Sequence, residues 1–87
     1  RIKTLKVYEK QSATENRTQL FIETPYRNVQ LFEDMIATLS PMTRLTIACD
    51  ITTENEYIKT MFIKDWKHVK PDINKRPTIF VLYARPF

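Results

Sequence analysis

The chain has 87 residues, 43% hydrophobic and 28% charged, which is the make-up of one folded domain with a modest core rather than of a disordered segment. It contains no glycine, so it carries neither a phosphate-cradling P-loop nor a G-x-G-x-x-G dinucleotide turn, and its one cysteine excludes an internal disulfide. A formal charge of +4 suits an RNA partner, although scattered surface lysines give the same sum.

Residues 1–15 place Ile2, Leu5 and Tyr8 three apart among Lys3, Lys6, Glu9 and Lys10, an apolar stripe on a charged leading helix. Polar residues 12–17 end it. Leu20, Phe21 and Ile22 predict a short buried strand that feeds through Thr24 and Pro25 into a second helix. Thr24 suits the N-cap, where its hydroxyl can accept an early N–H, and Pro25 suits the first helical position. Val29, Phe32, Ile36 and Leu39 then share one face with Leu31 and Met35 beside it, until Ser40-Pro41 stops the helix.

Residues 44–50 read as a strand in which Leu45, Ile47 and Cys49 alternate with Arg44, Thr46 and Ala48. A polar loop to Glu56 leads to a third strand at 57–62. Ile63, Trp66 and Val69 share a face of a short helix that must end before Pro71, and Trp66 is expected to anchor it on the sheet. A Pro-bounded connection, 71–77, precedes a last strand at 78–83. Its Ile79-Phe80-Val81-Leu82 run predicts burial on both faces and a central place. Residues 84–87 read as a frayed end.

The order is therefore α-β-α-β-β-α-β: an α/β (α+β) domain over residues 1–87, with a mixed sheet, helices packed on it, and a βαββαβ unit over 16–87. A ferredoxin-like module has the same order, so a stand-alone RNA-binding or dimerisation domain is an alternative.

No catalytic constellation is present. His68 is the only histidine, and no cysteine or carboxylate cluster at metal-ligand spacing surrounds it. Ser12 and Ser40 have no base at a recognisable spacing. Glu33, Asp34, Glu54 and Glu56 read as solvated surface, and Cys49 as core. Phe80 and Tyr83 suggest a base-stacking pair, but core packing suits Phe80 better. Glu23 differs from the other carboxylates, because it ends a buried strand and must find donors there. Backbone N–H groups at the next helix and Arg27 are the nearby choices, against a role facing a ligand.

The run FIETPYRN resembles the strand-turn-helix signature of the tetrapyrrole (corrin/porphyrin) methylase superfamily, whose rRNA cytidine-2'-O-methyltransferase branch has the form F-Y-E-S-P-H-R. ACDITT at 48–53, with Glu56 beyond, is similar to that branch's A-R-E-L-T-K, and Lys59-Thr60-Met61 and the last strand follow in order over roughly residues 17 to 83. The chain departs from the pattern with Tyr26 for histidine, Thr60 for glycine, and Arg76-Pro77 for Gly-Glu. The resemblance implies the C-terminal subdomain of an S-adenosylmethionine-dependent, homodimeric, cytoplasmic methyltransferase whose glycine-rich loop lies in an N-terminal half. It implies that Glu23, Ile51, Pro77 and Thr78 approach the cofactor's adenosine and that Tyr26 and Arg27 approach an RNA substrate. It also implies a fragment that is inactive alone. Pro77 and Thr78 share an edge with the first two strand exits only if the last strand runs antiparallel to them.

Overall fold

The computed structural model describes residues 2–15 and 18–84, with side chains from residue 4 onward. The stripe position of Ile2, the end of the polar run at 16–17 and the tail at 85–87 fall outside the described residues. Among those described, the elements are α1 (Ile2–Glu15), β1 (Gln19–Ile22), a 3-10 turn (Pro25–Arg27), α2 (Asn28–Thr38), β2 (Arg44–Cys49), β3 (Tyr57–Phe62), α3 (Ile63–Trp66) and β4 (Thr78–Tyr83). This is the expected α+β order.

The sheet order is β1-β4-β2-β3, and each neighbouring pair is antiparallel. β1 and β2 therefore run parallel to each other with β4 between them. A ferredoxin-like sheet has its first and third strands at the centre, whereas here the fourth and second are central. The alternative suggested by element order alone is not the topology adopted.

One face of the sheet carries the core. Leu45, Ile47 and Cys49 of β2 and Phe80 and Leu82 of β4 are buried against Leu5, Leu31, Phe32, Met35, Leu39, Ile63 and Trp66. Trp66 anchors α3 as expected: its indole N–H donates to the Leu45 carbonyl at 2.8 Å, and its ring meets Phe32 edge-on at 5.8 Å. The first N–H groups of this four-residue helix donate backward, Ile63 to the Thr43 carbonyl at 2.8 Å and Lys64 to the Pro41 carbonyl at 3.0 Å. Those bonds replace the side-chain cap that α3 lacks.

The other face is open. Register aligns Ile22, Ile79, Ala48 and Ile58 in one row across all four strands, and Leu20, Val81, Thr46 and Thr60 in the next. Ile22 is 71% exposed, Leu20 59% and Ile58 55%. β4 is central, but its burial alternates, with Ile79, Val81 and Tyr83 only half-buried on this open face. The expectation that it is buried on both faces is corrected accordingly. Its unbroken apolar run reflects a second apolar surface that no described element covers.

β1, expected to be buried, is an edge strand with no fully buried residue, since Leu20 and Ile22 lie on the open face. Two further expectations change. In α2 the buried face is Asn28, Leu31, Phe32 and Met35, continued by Leu39, while Val29 is exposed. In α1 the helix runs through Ser12 to Glu15, and both Glu9 and Ser12 are buried. Glu9 Oε2 accepts the Ser40 N–H at 2.7 Å and the Thr43 hydroxyl at 2.5 Å, and Ser12 Oγ accepts the Ala84 N–H at 2.9 Å. Glu9, read as part of the charged face, and Ser12, read as part of the polar end, are its points of attachment. No helix among the described residues is long and apolar enough to cross a membrane.

Candidate functional site

Because β1 and β2 run parallel and β4 runs against both, the exits of the first two strands and the entry of the last lie on one edge. The condition set by the sequence for Pro77 and Thr78 is met. Glu23, Ile51, Pro77 and Thr78 together line a concavity of about 360 Å³, whose floor is the Ile22–Ile79–Ala48 row of the open face. Pro25 closes its side. That volume lies at the small end of the range for ligand pockets, and the lining is mostly apolar with a few polar groups at the rim, as such pockets usually are. A larger hollow of about 470 Å³ under α1, lined by Lys6, Glu9, Met42 and Ala84 among others, contains none of the candidate residues.

At this edge Glu23 Oε1 accepts the N–H of Thr24 at 2.9 Å, the residue before the turn rather than one of the helix N–H groups expected. Thr24 precedes the 3-10 turn with Pro25 as the turn's first residue, but its hydroxyl makes no capping bond. The carboxylate one residue earlier takes up its backbone N–H instead. The Thr78 hydroxyl is also committed, donating to the Arg76 carbonyl at 2.9 Å and accepting from Asn28 Nδ2 at 3.1 Å. Tyr26, 79% exposed, and Arg27, also exposed, do not line the concavity. The structure thus brings the four cofactor candidates together and leaves the two substrate candidates outside them. Phe80 and Tyr83 face opposite sides of β4, which removes them as a stacking pair.

Two residues to which the sequence assigned no site role organise the edge. Asn28, fully buried at the start of α2, shares the two hydrogens of Nδ2 among three acceptors, the carbonyls of Ile73 at 3.3 Å and Arg76 at 2.5 Å and the Thr78 hydroxyl. Arg76 donates through Nε to Asp50 Oδ2 at 2.7 Å, and this bond raises the guanidinium pKa above its ordinary value. An Asn and an Arg among polar neighbours carry no signal of their own. The sequence cues were that Arg76 directly precedes two site candidates and that Arg76-Pro77 departs from the Gly-Glu of the family pattern.

No family model matches the sequence, and no curated protein matches it either. Solved structures do match. The crystal structure of the methyltransferase CobJ is similar over 97% of this chain and 36% of that one, with a TM-score of 0.56 and 14% sequence identity. The chain therefore spans well under two thirds of the length of the structure it matches. At that identity the likeness is one of fold: in architecture, this chain is similar to one part of a methyltransferase.

Proposed function

We propose that the chain is the C-terminal subdomain of an S-adenosylmethionine-dependent methyltransferase of the tetrapyrrole methylase superfamily, acting on RNA, with the strand-end concavity as its share of the cofactor cleft. The observation that carries this is convergence. Glu23, Ile51, Pro77 and Thr78 come from three separate stretches of sequence, and the fold gathers them around one hollow. The fold likeness to a methyltransferase and the sequence resemblance support the same reading.

The residues present fit such a ligand. Ile22, Ile51 and Ile79 offer apolar cover to a flat ring, and the strand ends offer backbone groups suited to the edge of an adenine. When bound, the cofactor supplies a methyl group on a sulfonium. The role of this chain is to hold and orient the adenosine end and to keep water from it, since such transfers depend chiefly on positioning. The partner that completes the cleft is an N-terminal half of the same protein, and the assembly is a homodimer, as the resemblance implies.

The test uses the full-length protein. Ile51→Lys should weaken cofactor binding, measured by calorimetry, by at least tenfold, or about 1.4 kcal/mol. Glu23→Ala should weaken it less, because Glu23 lies at the rim. If Ile51→Lys folds normally and binds as tightly as the parent, the assignment of the site is wrong. Transfer of labelled methyl to small-subunit rRNA, compared with a tetrapyrrole acceptor, decides the substrate.

A further inference from the structure

Ile51 stands between two residues with left-handed backbone, Asp50 at φ 50° and Thr52 at φ 69°. A β-branched residue is crowded in that region, so Thr52 stays there only where its surroundings over-determine the turn. They do. The Asp50 N–H donates to the Pro77 carbonyl at 3.0 Å, and the Asp50 carbonyl accepts from both the N–H of Thr53 at 3.2 Å and its hydroxyl at 2.7 Å. The Thr52 N–H donates to Glu56 Oε1 at 2.9 Å.

A single guanidinium then spans the loop. Arg76 reaches Asp50 Oδ2 through Nε and the Asn55 carbonyl through Nη2, each at 2.7 Å, and the Asp72 carbonyl through Nη1. Both ends of loop 50–56 are thereby fastened to the segment that enters β4. Arg76 lines a different hollow, with Asn55, Tyr57 and Asp72, and not the concavity that contains Ile51.

We propose that Arg76 is a positioning residue for the cofactor site: it holds the strained turn so that Ile51 stands over the sheet edge before any ligand arrives. The proposal rests on the strand-end concavity being that site. A rim already in place spares the ligand the cost of ordering it. Lysine cannot do the same, because one ammonium on a flexible stem does not bridge Asp50 and Asn55 as a planar fork does.

The test compares full-length parent, Arg76→Met, Arg76→Lys, and Arg76→Met combined with Thr52→Gly, with S-adenosylhomocysteine as the probe in calorimetry. Both single variants should bind it at least tenfold more weakly. Amide exchange at Thr52 and Thr53 should speed up at least tenfold in Arg76→Met, while exchange at Phe80 stays unchanged. Glycine at 52 removes the left-handed cost, so the double variant should regain the parent's melting temperature. It should not regain affinity, since glycine frees the loop further.

Parent-like affinity in Arg76→Met would overturn the proposal, as would affinity and melting temperature recovering together in the double variant, which would make Arg76 merely structural. A parent protein that does not bind the probe overturns the cofactor reading, and the positioning role with it.

Discussion

Asn28 shows how much one side chain can join. Its amide sits at the first position of α2 and shares two hydrogens among two carbonyls and a hydroxyl from residues 73–78, fixing the helix to the segment that leads into β4. Asn28→Ala strips those acceptors of a donor inside the protein, and we expect it to lower the unfolding free energy by about 1–3 kcal/mol. Asn28→Asp should lower it further, because a carboxylate cannot donate to carbonyls. Urea unfolding checks both, with the midpoint falling while the slope is unchanged. In sequence Asn28 follows Tyr26 and Arg27. Nothing local to it announces that residues nearly fifty positions later fold back over it. The same blindness covers Asp50, Thr52 and Lys75, whose positive φ angles would have been legible as glycines but are not as Asp, Thr and Lys.

Strands were legible nearly to the residue. β3 and β4 have the expected bounds and β2 ends one residue early, because runs of branched and aromatic residues bounded by polar or proline-containing stretches leave little choice of conformation. The leading helix was legible as a helix but not in how it is attached. Its contact with the rest of the fold combines Leu5 in the core and the edge-on meeting of Tyr8 with Phe21 at 5.2 Å with two buried polar ties. Glu9 is the more exposed of these to test. Glu9→Ala leaves the Ser40 N–H and the Thr43 hydroxyl without their acceptor, and we expect a loss of about 1–3 kcal/mol. Glu9→Gln keeps one acceptor oxygen and should lose less. Limited proteolysis should cut the segment after α1 sooner in Glu9→Ala than in the parent, and equal rates would show that the apolar contacts alone hold the helix.

For the whole molecule, strand order was the part least legible, since it depends on which strands meet and not on what each is made of. The gathering of the four candidate residues follows from that order alone. It also leaves one side of the sheet apolar and bare. We expect the 87-residue chain on its own to associate through that face as concentration rises. Light scattering over a concentration series should show the average mass climbing, and Ile22→Lys with Ile58→Lys should return it to the monomer. A parent that stays monomeric throughout would show that the face is not adhesive. Association along β3 is less favoured, because Lys59 pairs with Ile47 and so projects toward the covered side of that edge strand.

The place of β4 also sets an order in time. It is the last of the four described strands in chain order, yet it lies between β1 and β2, with Gln19 opposite Leu82 and Thr46 opposite Val81. While the chain is being made, β2 and β3 can pair as a hairpin, but β1 lacks its partner in this sheet until residues 78–83 have emerged and slot into the gap. A chain that stops short of residue 78 therefore lacks more than an edge: β1 loses its partner in the sheet, and only helix contacts such as Phe32 with Trp66 and Glu9 with Thr43 tie its side of the fold to β2 and β3.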